Sequence, residues 1–85
     1  MTYSIEIKPA AAKQIRKLPR DVQERIGARL NELALNPRLD GVKKLTNSEL
    51  YRARAGDYRI IYQIQDNVLL VTVVRVGHRR DVYKN

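Results

Sequence analysis

The sequence contains no cysteine, which excludes disulfide bonds and zinc sites built from thiolates. It has no apolar run near the roughly 20 residues that a membrane-spanning helix needs. Its first six residues, Met1-Thr2-Tyr3-Ser4-Ile5-Glu6, lack both the basic and the apolar segment of a signal peptide. These absences predict a cytoplasmic protein that uses no metal and no cofactor.

Acidic residues are few. Nine Asp and Glu stand against 17 Lys and Arg, which gives a net charge of +8 and a pI near 10.2. Such a field attracts nucleic acid, anionic membrane or acidic protein, and makes binding to any of them salt-dependent. The charge is spread along the chain, and 44% of the residues are hydrophobic. The 85 residues therefore predict one basic globular domain that spans positions 1–85.

Hydrophobic periodicity predicts four strands and two helices. The predicted elements are a strand at 3–8, a helix at 10–18, a helix at 21–35, a hairpin at 51–62 and a strand at 68–76. Residues 38–48 are irregular, with a turn signal at Asp40-Gly41 and an exposed Lys43-Lys44 pair. The order β-α-α-β-β-β predicts an α+β domain in which a helical hairpin packs on one face of an antiparallel sheet.

The predicted hairpin turns at Gly56-Asp57, because Gly accepts the positive φ that a type II′ turn requires at its first central position. This turn sets Arg54 opposite Arg59 and Ala53 opposite Ile60. Side chains alternate between the two faces of a strand, so one face is apolar and the other is cationic. The cationic side carries Arg52, Arg54, Arg59 and Ile61.

Like charges opposite one another destabilise a strand pair, and a polyanion would relieve that repulsion. A solvated strand face is the alternative explanation, but no acidic residue alternates with these arginines. The helices carry further basic residues, which we interpret first as solvated surface and second as a binding surface: Lys13, Arg16, Lys17, Arg20, Arg25 and Arg29.

The segment from Gly77 to Tyr83 is predicted to leave the sheet near the cationic side. It contains His78, Arg79, Arg80 and Tyr83. Arginine grips phosphate in a bidentate manner, histidine titrates near neutral pH, and tyrosine stacks on a base or passes a proton. Cleavage of RNA without a metal needs the 2′-hydroxyl deprotonated, the pentavalent phosphate stabilised and the leaving oxygen protonated. These residue types suit that chemistry.

Two stretches resemble the RelE branch of the RelE/ParE toxins of bacterial and archaeal toxin–antitoxin pairs. They are Tyr51-Arg52-Ala53-Arg54-Ala55-Gly56-Asp57-Tyr58-Arg59-Ile60-Ile61-Tyr62 and Val76-Gly77-His78-Arg79-Arg80-Asp81-Val82-Tyr83. The resemblance covers nearly the whole chain. It implies a toxin that cuts messenger RNA in the ribosomal A site through attack by the 2′-hydroxyl, and that a cognate antitoxin, small and acidic or amphipathic, silences. The ribosome and its messenger RNA are then the other partners.

The same resemblance implies roles for individual residues. It places Arg59, Arg79 and Tyr83 in catalysis, with His78 where some relatives use histidine for proton transfer. Arg52 and Arg54 occupy positions of lysines in the best-known pattern, and we expect them to bind phosphate because arginine stays protonated at neutral pH. We expect RNA binding by Arg52, Arg54, Arg80, Lys43 and Lys44.

Two other functions compete with this prediction. ParE-like toxins share the fold but act on DNA gyrase, and they generally lack this basic set. A non-catalytic RNA-binding module would need exposed aromatic residues for base stacking, whereas most tyrosines here fall on the predicted core face.

Overall fold

The computed structural model describes residues 2–78, in which two helices pack on one face of a five-stranded sheet. The elements are β1 (Ser4–Ile7), α1 (Pro9–Arg16), α2 (Arg20–Leu35), β2 (Lys43–Lys44), β3 (Leu50–Ala55), β4 (Tyr58–Gln65) and β5 (Leu70–His78). The strand order across the sheet is β1-β5-β4-β3-β2. The predicted α+β class is confirmed, and so is the order of the two helices and four predicted strands, to which the structure adds the short strand β2.

Proline sets the start of each helix. Pro9 is the first residue of α1, and Pro19 is the residue just before α2, positions where the missing N–H costs no helical hydrogen bond. The side-chain amide of Gln23 donates to the carbonyl of Leu18 at 2.8 Å and ties α2 to the end of α1. The Gln14 side chain accepts a hydrogen bond from the backbone N–H of Val76 at 2.8 Å, which anchors α1 on β5.

The core lies between the helices and the sheet face that they cover. Its buried members are Ala11, Ile26, Leu30, Leu33, Ala53, Ala55, Ile60, Tyr62, Val71, Val73 and Val76. In α2 the buried residues follow helical spacing, and in β4 and the first part of β5 they follow the alternation of a strand. The opposite face of the sheet has no helix of residues 2–78 packed against it.

The sheet differs from the prediction in three details. It is antiparallel except for β1 and β5, which pair in parallel, with Ile5 beside Val71. Parallel neighbours need a long connection, and here everything between β1 and β5 supplies it. Lys43–Lys44, in the stretch predicted as irregular, forms the short edge strand β2. A 3₁₀ turn over Asp66–Val68 delays the last strand to Leu70.

The hairpin register is confirmed at every predicted pair, from Ala55 opposite Tyr58 to Tyr51 opposite Tyr62. Gly56 has a φ of +61° and Asp57 does not have a positive φ, as a type II′ turn requires. Within residues 2–78, no helix is both long and apolar enough to cross a membrane.

Candidate nucleic-acid interface

The hairpin of β3 and β4 brings arginines from two strands together on the sheet face away from the helices. Arg54 lies directly opposite Arg59, and Arg52 lies opposite Ile61. Their neighbours along the strands, Ala53 and Ile60, are buried in the core. Because consecutive side chains point to opposite faces, the arginines share the uncovered face.

The two flanking strands extend this surface. Lys43 of β2 lies opposite Arg52, and Arg75 of β5 lies opposite Ile61. A row of side chains therefore crosses four strands, in the order Lys43, Arg52, Ile61 and Arg75. We call the cationic side chains of this surface the cationic face: Lys43, Arg52, Arg54, Arg59 and Arg75.

Arg75 is a candidate that sequence reasoning missed. Strict alternation from Val71 and Val73 would turn Arg75 toward the core. The pairing shifts instead, since Ile61 is opposite Arg75 while the next residue, Tyr62, is opposite Val73. The extra residue, a β-bulge at Val74, turns Arg75 outward and Val76 inward. The sequence contains a signal for this bulge. Thr72 and Arg75 are both polar, but they are an odd number of positions apart, so strict alternation cannot place both on the uncovered face.

Arg59 is the most unusual member of the cationic face. Its side chain lies in the middle of the sheet and the residue is only 7% exposed. Its Nε atom is buried without a hydrogen-bond partner, and no ion pair in the described part of the chain involves it. A buried cation without an anion is costly, and the directly opposed Arg54 adds repulsion. Arg59 is therefore a candidate for binding a negative charge.

The predicted RNA-binding lysines separate. Lys43 shares the cationic face with Arg52, whereas Lys44 lies opposite Tyr51 and so on the other side of the sheet. Both lysines are exposed. Lys43 is therefore placed to contact a ligand on the cationic face, and Lys44 is not.

His78 is not brought onto the cationic face. It lies opposite Tyr58 at the end of β5, and Tyr58 shares its face with the buried Ala55 and Ile60. The two rings meet edge to face, with centroids 5.5 Å apart. The sequence placed His78 near the arginines along the chain, but the pleat turns its side chain to the helical side. Arg79, Arg80 and Tyr83 lie outside the described residues.

A different arginine, at the far end of the sheet, is fully paired. Arg38 forms two hydrogen bonds to the Asp66 carboxylate, at 2.9 and 2.8 Å, and Tyr3 donates a third at 2.6 Å. The Arg38 guanidinium also lies 5.6 Å from the centroid of the Tyr51 ring, which stacks on Tyr62 at 5.8 Å. We call Tyr3, Arg38, Tyr51, Tyr62 and Asp66 the clamp.

The clamp shifts the titration of its members. Hydrogen bonds from Arg38 and Tyr3 lower the pKa of Asp66 to about 2, and the hydrogen bond to Asp66 raises the pKa of Tyr3. Burial raises the pKa of Tyr62 to about 12, and its hydroxyl donates to the carbonyl of Pro37 at 2.6 Å. These contacts join the loop after α2 to the turn between β4 and β5, which is a structural role.

The chemistry that the cationic face supports is charge stabilisation. Guanidinium groups from neighbouring strands suit bidentate contacts to phosphate oxygens. In residues 2–78 no group of three or more His, Cys, Asp or Glu side chains is arranged to hold a metal ion. Positioned cations that meet developing negative charge are the largest single contribution in many enzymes.

Comparison with known proteins identifies the family. Residues 5–83 match the family model described as the ParE toxin of the type II toxin–antitoxin system, parDE. The chain belongs to this family of toxins, and it is similar to RelE-like toxins.

Three similar proteins show that likeness. The mRNA interferase toxin RelE of Escherichia coli K12 is 32% identical over 81 residues, which cover 93% of this chain and 85% of that protein. The toxin–antitoxin complex RelBE2 of Mycobacterium tuberculosis contains a chain with a TM-score of 0.84 at 28% identity, covering 93% of this chain and all of that one. The archaeal RelE–RelB complex of Pyrococcus horikoshii contains a chain with a TM-score of 0.83 at 28% identity, covering 96% of this chain and all of that one.

Proposed function

We propose that this chain is a ribosome-dependent endoribonuclease, the toxin of a type II toxin–antitoxin pair, and that it cleaves messenger RNA in the ribosomal A site without a metal. The observation that carries the proposal is Arg59, a buried arginine with no anionic partner in residues 2–78, at the centre of the cationic face. The RelE relative, whose name is mRNA interferase toxin, supports it.

The proposed reaction is attack by a ribose 2′-oxygen on the adjacent phosphorus. The bond from phosphorus to the 5′-oxygen breaks, which leaves a 2′,3′-cyclic phosphate and a 5′-hydroxyl. One proton must leave the 2′-hydroxyl and one must reach the 5′-oxygen. Arg59, with Arg79, stabilises the charge that develops on the phosphate, since both groups stay cationic at neutral pH.

The remaining residues of the cationic face position the strand. Arg52, Arg54 and Lys43 contact neighbouring phosphates, and we add Arg75 to this set because it lies on the same side of the sheet. Arg80 belongs to the same proposed group of RNA contacts. The His78 ring packs on Tyr58 on the helical side. We therefore assign proton transfer or base stacking to Tyr83 and not to His78.

A cognate antitoxin is the second proposed partner. Two similar solved structures are complexes of a toxin with its antitoxin. An acidic or amphipathic segment laid on part of the cationic surface would neutralise it and stabilise the toxin by mass action. The affinity of that complex should fall as salt rises, because exposed charges are screened.

The test uses purified toxin, ribosomes programmed with a defined messenger RNA, and the same RNA without ribosomes. We expect cleavage on the ribosome and scarcely any on naked RNA, because a site poor in acid–base groups depends on the ribosome to orient the phosphate. EDTA added after the ribosomes are assembled and kept intact should leave the rate unchanged. Equal cleavage with and without ribosomes would overturn the ribosome dependence.

Gyrase inhibition is the competing function, since the matching family model takes its name from ParE. A supercoiling assay with purified gyrase decides between the two. Inhibition of supercoiling by the toxin, together with intact messenger RNA on programmed ribosomes, would establish the competing function and refute the proposed one.

A further inference from the structure

A second basic surface lies between α2 and the turn of the hairpin, around the sheet edge from the cationic face. It is a shallow groove of about 380 Å³ lined by Arg25, Ala28, Arg29, Glu32, Arg54, Ala55 and Gly56. We call it the α2 groove. Three of its seven lining residues are arginines, and one is acidic.

Gly56 allows Arg25 to lie across the turn. A Cβ atom at Gly56 would stand 2.8 Å from the Nη1 atom of Arg25, so a larger residue would push this guanidinium away. Among the described residues, Arg25 and Arg54 take part in no ion pair. Two guanidinium groups are thus presented at the groove without an acidic partner.

Arg29 forms the floor of the groove. Its Nη1 atom lies 3.0 Å from Oε1 of Glu32, its own neighbour on α2. Its Nε atom is buried and has no hydrogen-bond partner. Glu32 thus accepts one hydrogen bond from Arg29, and with three arginines and one glutamate the net charge of the lining stays positive.

The α2 groove is continuous with the cationic face. An adjoining cavity of about 340 Å³ is lined by Arg29, Gly41, Lys43, Arg52, Arg54 and Gly56. Arg29, Arg54 and Gly56 line both cavities. A basic track therefore runs from the sheet face, around the edge of β3, to α2.

We propose that the α2 groove binds RNA backbone phosphate beyond the cleavage site, so that one RNA strand is held at two places. This inference rests on the proposed function. It explains why basic residues of α2, which the sequence alone marks first as solvated surface, converge on the hairpin turn.

The lining favours RNA over an acidic protein segment. Protein interfaces depend on aromatic or large aliphatic anchors seated in pockets, and the apolar lining of the α2 groove consists only of Ala28 and Ala55. Phosphate contacts need guanidinium forks and no apolar pocket. A chain of phosphates also matches a track that has arginines along its length.

The test compares two double variants with the same loss of charge. Arg25→Gln/Arg29→Gln removes two arginines of the groove, whereas Arg16→Gln/Arg20→Gln removes two exposed arginines that line neither cavity. The probe is a fluorescent single-stranded RNA, 2′-O-methylated so that it cannot be cleaved. Its dissociation constant is measured by anisotropy from 50 to 200 mM salt.

For the groove variant we expect the slope of log affinity against log salt to be smaller by about 1.4, from about 0.7 for each lost phosphate contact. Over this salt range the wild-type protein then loses about sevenfold more affinity than the variant. The control variant should keep a slope near the wild-type value. Arg25→Lys/Arg29→Lys, which keeps the charge, should restore the slope.

Equal slopes in the groove and control variants would overturn the inference. So would normal RNA binding in the groove variant combined with lost affinity for a polyglutamate peptide, since the groove would then serve an acidic protein. If Arg29→Gln prevents folding, Arg25→Gln alone carries the test with an expected change of about 0.7.

This binding assay needs no cleavage, so its failure is distinct from failure of the proposed function. If the wild-type protein does not cleave on ribosomes but the groove variant still has a smaller slope than the control variant, the nuclease function is refuted and RNA binding by the α2 groove is supported. If the wild-type protein cleaves and the two variants have equal slopes, only the proposal that the α2 groove binds RNA is refuted.

Discussion

Two arginines, one in the loop after α2 and one in β4, have opposite environments. Arg38, half-exposed, has two hydrogen bonds to Asp66 and a tyrosine ring beside it. Arg59, at 7% exposure, has no acidic partner in residues 2–78 and lies opposite another arginine. Pairing satisfies an arginine whose task is structural. Arg59, which we propose binds an external anion, has no such partner among these residues, at a cost in stability.

The largest expected effect is on catalysis at Arg59. Arg59→Ala should lower the single-turnover cleavage rate on programmed ribosomes by on the order of 10² or more, because it removes charge stabilisation in the transition state. Ribosome binding should change little. A rate within about threefold of wild type would mean that Arg59 is not catalytic, since such a change is small beside those of catalytic groups.

A smaller effect is expected at Arg54, which is exposed at the rim of the cationic face. Arg54→Ala should weaken RNA binding and the cleavage rate together, by on the order of tenfold, because a charge-assisted contact to phosphate is lost. Arg54→Lys should retain much of both, since a positioning contact needs charge more than a planar fork. Binding isotherms and single-turnover rates measure the two quantities; loss of rate alone would place Arg54 in the chemistry instead.

The clamp should affect stability and not cleavage. Arg38→Ala or Asp66→Asn should lower the thermal unfolding midpoint by a few degrees, because each breaks the hydrogen bonds that join two loops. The cleavage rate at a temperature well below the midpoint should stay within about threefold of wild type. Differential scanning calorimetry and the ribosome assay check both. A variant that folds normally but cleaves poorly would show that the clamp is part of the site.

The pH dependence of unfolding should show the clamp at both extremes. The pKa of Asp66 is about 2 in the fold against an ordinary 3.8, so its stabilising contribution is present above about pH 4 and is lost as pH falls toward 2. The pKa of Tyr62 is about 12 against 10, so its contribution is present below pH 10 and is lost as pH rises toward 12. Denaturant titrations across pH measure this. Asp66→Asn should flatten the acid limb and leave the part of the alkaline limb that Tyr62 contributes, because burial raises the pKa of Tyr62.

Local patterns in the sequence predicted the hairpin well. Gly56-Asp57 set the turn, and alternation then assigned Arg52, Arg54 and Arg59 to one face, because both depend on neighbouring residues alone. The short strand at Lys43–Lys44 carried no such pattern, since two residues are too few for a period.

Features that depend on distant pairing were harder to predict. Arg75 joins the cationic face only through the bulge at Val74, and strict alternation places it wrongly. The parallel pairing of β1 with β5 joins opposite ends of the chain. The Arg38–Asp66 pair spans 28 positions and was not expected, because nothing in local periodicity marks it. The burial of Arg59 likewise follows from packing and not from residue type.

The most direct test of the idea that Arg59 is kept without an acidic partner in residues 2–78 so that it can bind a ligand is the unfolding free energy of Arg59→Met. Methionine fills similar space without charge, and replacing buried charge by apolar groups is often neutral or stabilising. We expect the ligand-free variant to be at least as stable as the wild-type protein in the same low-salt buffer. A free energy of unfolding lower by about 2 kcal/mol or more, the range of a lost buried interaction, would show that Arg59 is a structural residue and would contradict the claim.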